Sequence, residues 1–353
     1  MTVADDGAAD DARWVLCLAT GAGIPDGASP SWDAVLRMSV AERCAPLSWL
    51  RSGAVIRARA PAGIVGQWRS VAVDADARGR RQEDALLAGL RAMERAGVEG
   101  VVLKGSPLAT RLYGNAHVRA TADIDLWVPL ARRAAARSAL EREGWVHHDG
   151  ESPWEESMTR PDCDRSMYLD VHSSLLDHTL AHLPTPPPAS ETMTVEGQSV
   201  RAHAGPLVPA FLASHLAKHR LAPLLWLLDL RTLWATMDEL ARRDAVREAE
   251  RAGLARYLSW GVRRTGLLAP AAEGDRGALR ALGFRGRGRR DVHPMYRDAL
   301  LAPDMASAVR VIGAWVWPRP LRDDPRAFAR RCAARISAAF TRPRAGRQTY
   351  GHC

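Results

Sequence analysis

Asp123 and Asp125 stand two residues apart in the run Asp123-Ile124-Asp125-Leu126-Trp127-Val128. Side chains alternate between faces along a strand, so both carboxylates point one way and Ile124, Leu126 and Val128 the other. Two like charges this close repel each other unless a cation lies between them. A divalent ion is the economical answer, and hard oxygen ligands suit Mg²⁺ bound together with substrate phosphates. A third carboxylate is on offer in Met167-Tyr168-Leu169-Asp170-Val171-His172. There alternation sets Tyr168, Asp170 and His172 on one face and Met167, Leu169 and Val171 on the apolar one. If this strand lies beside the first, Asp170 completes a three-carboxylate site. Two metals about 3.5–4 Å apart would then clamp an in-line displacement at phosphorus.

The complementary half is the turn Lys104-Gly105-Ser106-Pro107. Gly105 lets the backbone approach a phosphate closely, and the amides at a helix start, with Ser106, form an anion site. The pattern is not a Walker loop, in which the lysine follows the last glycine; here it precedes the glycine. Two of the 49 basic residues are lysine, Lys104 and Lys218, and the other 47 are arginine. A GC-rich genome accounts for the bias, which makes each surviving lysine worth inspecting, since the two cations are not interchangeable where a compact point charge is needed.

These residues need elements to position them. Helical spacing of Leu86, Leu87, Leu90 and Met93 predicts a helix over Asp84–Ala96, with Gly97 as its cap. Val98–Leu103 reads as a buried strand, followed by a helix to Tyr113 with Ser106 as N-cap and Pro107 at N1. Ile124–Val128 reads as the second strand, Leu130–Glu143 as a helix closed by Gly144, Trp145–His148 and Met167–Val171 as further strands. Met193–Val195 and Val200–His203 read as a hairpin. Beyond Gly205 long helical patterns follow at Leu207–Leu221, Pro223–Leu240 and Ala245–Leu267, with two more near 295–312 and 324–340. The expected division is a helical N-terminal region over 1–80, a small mixed α/β core over 81–205 and a helical C-terminal domain over 206–353.

Composition sets the outer bounds. The 353 residues are 47% hydrophobic and 25% charged, which excludes a disordered chain, a collagen or a coiled-coil rod. Every stretch of about 18 residues contains charge, so no spanning helix and no membrane partner is expected. The acidic N-terminus has no apolar segment of the secretory kind. Five scattered cysteines without a CxxC pair argue against a zinc ribbon and fit a reducing cytoplasm. The net charge of +9 favours phosphate-bearing partners.

Leu103 to Leu108, Leu112-Tyr113-Gly114, Arg119 and Asp123 to Val128 together resemble the signature of the uncharacterised bacterial nucleotidyltransferase family, within the DNA polymerase β nucleotidyltransferase superfamily. The likeness continues in Tyr168 to His172, in His215-Leu216-Ala217-Lys218-His219 and in Leu225 to Leu230, and covers roughly 80–240. The resemblance implies an α+β fold with a polymerase-β-like core between helical regions. It also implies that Asp123 and Asp125 bind both Mg²⁺ ions, that Asp170 binds one and helps deprotonate the attacking hydroxyl, and that Gly105 and Ser106 hold the β- and γ-phosphates. Lys104 and Arg119 become phosphate contacts. The reaction would move a nucleoside monophosphate from an NTP, ATP foremost, to a hydroxyl of a peptide natural product or small metabolite, releasing pyrophosphate. Transfer to tRNA or protein, a non-catalytic nucleotide- or RNA-binding role and γ-phosphoryl transfer are the alternatives.

Both lysines fall inside these matched runs, from which Lys218 is expected to point across the cleft at the triphosphate. His215 and His219 have a spacing zinc can use, but their run lacks the glutamate of the HExxH motif, and a polar cleft lining is the better reading. His172 would orient Asp170 or a substrate, or serve structure alone. Asp229 is expected to make an internal ion pair or cap. Trp226, Trp234, Trp315 and Trp317 are expected in the core, and Arg285–Arg290 in a solvated loop with phosphate-backbone contact as its alternative.

Overall fold

The computed structural model describes residues 3–25, 29–148, 155–162, 165–175, 187–218 and 223–284. Seven strands form one mixed sheet: β1 (Val101–Val102), β2 (Asp123–Trp127), β3 (Val146–His148), β4 (Glu155–Asp162), β5 (Arg165–His172), β6 (Ser190–Val195) and β7 (Gln198–His203). Their order is β3-β4-β5-β2-β1-β7-β6. β2 runs parallel to β5 and β1 parallel to β7, while the other neighbours are antiparallel. The β2–β5 register sets Asp123 opposite Tyr168 and Asp125 opposite Asp170.

The alternation read from the sequence decides which face is buried. Ile124, Leu126, Met167, Leu169 and Val171 all join one apolar cluster. Its cover comes from two helices, α4 (Ala62–Arg95), through Ala85, Leu86, Ala92 and Met93, and α6 (Arg133–Arg142), through Ala136, Ala139 and Leu140. The opposite face of the same strands is left to Asp123, Asp125 and Asp170.

A second cluster gathers helices from both ends of the chain. The N-terminal set is α1 (Val3–Thr20), α2 (Trp32–Ala41) and α3 (Ala45–Arg59). Between the ends comes α5 (Gly105–Tyr113), which adds Leu108 to the cluster. The C-terminal set is α7 (Val208–Lys218), α8 (Leu224–Thr236), α9 (Glu239–Arg251), α10 (Ala255–Thr265), α11 (Leu268–Glu273) and α12 (Arg276–Ala281). Leu16, Val35 and Leu47 from the first set share a core with Leu216, Leu225, Leu228, Tyr257 and Leu268 from the second. Both sets therefore share one core. Trp226 and Trp234 pack half-buried against this core, while Trp315, Trp317, Arg285–Arg290 and the helices expected beyond 295 lie outside the described residues.

Several elements differ from their sequence reading. α4 is not a helix from Asp84 but 34 residues long, roughly 50 Å at 1.5 Å per residue. Gly63 and Gly66 near its start and Gly79 at its middle weaken it as a local pattern. Packing overrides them: Trp68 is fully buried and its Nε1 donates to the Ala45 carbonyl at 2.9 Å. β1 is only two residues long, and β4 has no clear strand pattern of its own, its Pro161 being a residue that ladders rarely admit. The expected helix over Pro223–Leu240 breaks at Met237, where Asp238 caps α9 by accepting from the Ala241 amide at 2.8 Å. The helix expected over Ala245–Leu267 breaks at Gly253, whose φ of +71° suits glycine.

Candidate active site

Three short runs converge at one end of β2. The backbone amide of Leu103 donates to the Asp125 carbonyl at 3.0 Å, which fixes the residues after β1 beside the carboxylates. Lys104 is the N-cap of α5, so Gly105 and Ser106 occupy the first two helical positions and Pro107 the third. This corrects the expected cap: Ser106 lies inside the helix and no side chain caps it. The first-turn amides of a helix have no intrahelical acceptor, so those of Gly105 and Ser106 form a natural anion site. Gly105 has a φ of +71°, and a Cβ there would meet nothing within 4 Å. Its glycine is required by backbone angle, with open space beside it.

The carboxylates do not stand bare. Lys104 Nζ lies 3.0 Å from Asp125 Oδ2, and His172 Nε2 lies 3.1 Å from Asp125 Oδ1. Lys104 and Asp125 are both buried, at 4% and 6% exposure. Burial alone would raise the Asp125 pKa; the charge of Lys104 and the contact with His172 outweigh it and hold the carboxyl well below its ordinary value. Asp170 behaves oppositely. Burial pushes its carboxyl above the ordinary value, the charges of Asp125 and Asp123 add to the rise, and a hydrogen bond from Ser157 offsets part of it. Ser157 Oγ donates to Asp170 Oδ1 at 2.7 Å from the neighbouring β4. Sequence reasoning missed Ser157 together with the strand that carries it.

One ligand atom each from Asp125, Asp170 and His172 lies within 4.8 Å of the others, a spread that one ion can bridge. A cation is drawn to these oxygens already, in the form of the Lys104 ammonium. Two carboxylates with Asp123 on the same strand face make an oxygen-rich set that suits Mg²⁺ or Mn²⁺. Asp123 is outside that group of three, though it lines the cavity in front of it.

That cavity has a volume of about 480 Å³. Its floor is Lys104, Gly105, Ser106, Asp123 and Asp125, and its far wall is the middle of α4 together with the segment 116–122. Asp170 and His172 stand beside Asp125 and are not part of the lining. Lys218, in the last turn of α7, is half-buried and also outside the lining. Arg119 lines the cavity, yet its Nε donates to Asp229 Oδ2 at 2.8 Å. Asp229 is fully buried and also accepts from the Tyr113 hydroxyl at 2.7 Å, so the expected internal ion pair at Asp229 has the expected phosphate contact, Arg119, as its partner. His215 Nε2 lies 3.3 Å from Lys104 Nζ, and its ring meets Trp226 edge-on at 4.3 Å between centroids. His219 lies outside the described residues.

The far wall holds residues that sequence reasoning missed. His117 Nδ1 lies 2.7 Å from Asp76 Oδ1, and its Nε2 lies 2.7 Å from Glu83 Oε2. Burial lowers the pKa of this imidazole, but the two carboxylates more than reverse that and the net shift is upward. Thr121 Oγ1 adds a hydrogen bond to Gln82 Oε1 at 2.9 Å. These contacts stitch α4 to the segment leading into β2. Glu83, His117 and Glu196 also lie close enough to share an ion, although both His117 nitrogens already face carboxylates. No spacing rule could have found this wall, because its parts come from separate stretches of chain.

Among the described residues no helix is long and apolar enough to cross a membrane. No curated protein matches the chain. A solved structure that matches is the solution structure of the antibiotic-resistance factor ANT(2'')-Ia, at 14% identity over 57% of this chain and 96% of that one, with a TM-score of 0.32. The sequence profile described as uncharacterised nucleotidyltransferase matches residues 28–270, which takes in the helical N-terminal region from α2, the whole sheet and α7 to α10. With that match spanning more than half of its length, the chain is an enzyme that belongs to the uncharacterised nucleotidyltransferase family.

Proposed function

We propose that this nucleotidyltransferase moves a nucleoside monophosphate from a nucleoside triphosphate, ATP foremost, to a hydroxyl of a peptide natural product or small metabolite, with Mg²⁺ as its cofactor. The observation that carries the reading is the parallel register of Asp125 with Asp170, beside the uncapped N-terminus of α5. Asp123, Asp125 and Asp170 would hold the metal, which supplies charge neutralisation at the phosphates when bound. The amides of Gly105 and Ser106 receive the β- and γ-phosphates, and Lys104 adds a point charge beside them. Arg119, oriented by Asp229, supports the same end of the cavity. Asp170 takes the proton of the acceptor hydroxyl as its oxygen bonds to the α-phosphorus. The bond from that phosphorus to the bridging oxygen breaks, and pyrophosphate leaves with the electron pair. A carboxylate raised by burial and by its acidic neighbours is suited to accept a proton. The half-buried end of α7 gives Lys218 a lesser place in this reading than its sequence context suggests.

The test is incubation with Mg²⁺ and each NTP labelled at the α-phosphate, with cell extract, total tRNA and the protein itself as acceptors. An Asp123→Ala/Asp125→Ala variant serves as control. Label moved by the wild type and not by the variant supports the reading, and the size of the product names the acceptor class. Transfer of a γ-label instead of the α-label would replace it with a kinase-like reaction.

A further inference from the structure

Both oxygens of Asp125 are engaged by side chains of this chain: Oδ2 by Lys104 and Oδ1 by His172. On the reading that Asp125 is a metal ligand, a divalent ion has to approach an oxygen that already faces the ammonium or the imidazole. An ammonium and a divalent ion on one carboxylate also repel each other strongly in a buried setting. That repulsion favours departure of Lys104 from Asp125 when the metal arrives. Its backbone cannot follow, because the Leu103 amide is tied to the Asp125 carbonyl and Lys104 occupies the N-cap position of α5. The side chain can, since a four-carbon stem pivots freely. The replacement partner is an anion seated next to it, at the N-terminus of α5, where Gly105 and Ser106 line the same cavity and favour negative charge.

We propose that Lys104 is an exchangeable internal cation, which holds Asp125 in the free enzyme and moves to the triphosphate when metal and nucleotide enter together. Metal alone must displace the ammonium with no anion to receive it. Nucleotide alone must draw the ammonium from a bare buried carboxylate. Only the pair satisfies every charge, so each ligand strengthens the binding of the other, and by the same factor. The choice of lysine fits this use. In a chain with 47 arginines, the residue on Asp125 is one of only two lysines. A guanidinium would grip both carboxylate oxygens in a fixed fork, whereas an ammonium is a single point charge that exchanges one for one.

The experiment measures binding, not turnover. Mn²⁺ affinity is read by electron paramagnetic resonance, without nucleotide and with α,β-methylene-ATP, for the wild type, Lys104→Met and Lys104→Arg. Affinity for a fluorescent analogue of the same nucleotide is read with and without Mn²⁺. The wild type should bind Mn²⁺ about tenfold or more tightly once the nucleotide is present, and the nucleotide should gain equally from Mn²⁺. Lys104→Met should bind Mn²⁺ alone at least tenfold more tightly than the wild type, with the coupling reduced several-fold to what direct metal–phosphate contact supplies; Lys104→Arg should bind Mn²⁺ no better than the wild type. Equal Mn²⁺ affinity in the wild type with and without nucleotide overturns the proposal whatever the variants do. So does a Lys104→Met protein that forms the ternary complex with its coupling intact. A wild type that forms no Mn²⁺–nucleotide complex at all instead removes the metal-dependent reading of the site on which the proposal rests.

Discussion

On the floor of the cavity one ammonium rests on one carboxylate, Lys104 on Asp125; on the far wall one imidazole rests between two, Asp76 and Glu83. The floor is assembled from β2 and the turn between β1 and α5, and strand register sets Asp170 of β5 beside it. The wall is assembled from α4 and a segment beginning at Asn115, whose side chain accepts from the His117 amide at 3.0 Å and sets the ring's approach. On our proposal the floor can exchange its cation, because a lysine stem swings. Wall chemistry cannot, because His117 is held on both ring nitrogens and from beneath. A Cβ at Gly79 would lie 2.5 Å from its ring, so α4 can seat this histidine only with glycine at that position. On the proposed function the floor is the part that reacts, while the wall is held by contacts on every side of His117.

The difference can be broken most severely beside the floor, at the carboxylate opposite Asp125. Asp170→Asn should lower nucleotidyl transfer by about 10²–10⁴-fold, the usual worth of a general base, with nucleotide affinity changed far less. Transfer at wild-type rate would remove Asp170 from the proposed mechanism. On the wall the expected loss is in stability. Gly79→Ala should cost about 1–3 kcal/mol in urea unfolding, as overpacking does, because the His117 ring has to yield. Gly66 lies exposed on the same helix, and a Cβ added there would meet nothing within 4 Å. Gly66→Ala should therefore stabilise by about 0.5–1 kcal/mol. Opposite signs for two glycine-to-alanine changes in one helix would isolate the seat of His117; equal signs would deny it.

The smallest effect is a slope with pH. The folded pKa of His117 is raised above its ordinary value of 6.5. Its contribution to stability is therefore complete below about 6.5 and is lost as pH rises through the folded value. Asp76 works at the other end: its pKa is lowered by His117 and Arg80, so its contribution is present above 3.8 and lost as pH falls through the folded value. Between about pH 6 and about pH 9 the wild type should lose more unfolding free energy than His117→Asn. Parallel curves for the two proteins would show that the imidazole is not held as a cation.

The floor was legible because its information is local. Alternation along β2 and β5 fixes which side chains share a face, and Gly105 is needed for its own backbone angle. The resemblance to a nucleotidyltransferase signature rests on those same runs and holds over residues 28–270. The cap of α5 lies two residues before the position its local sequence suggests. Ser106 and Pro107 suit a helix start in isolation, while the tie between Leu103 and Asp125 begins the helix earlier. Ser157 was hidden with its strand, because β4 gains its place from pairing with β5 and β3 and not from its own pattern.

The amino-acid sequence by itself determined the acidic face, the glycine turn beside it and the apolar face that anchors both, because each depends on neighbours within a few residues. Only the tertiary structure decided how the charges are matched: Lys104 to Asp125, Arg119 to Asp229, His117 to Asp76 and Glu83. These partners lie 21 to 110 residues apart, and burial makes the pairings of Lys104, Arg119 and Glu83 obligatory, since a charge withdrawn from water must find its counterion wherever the fold supplies one.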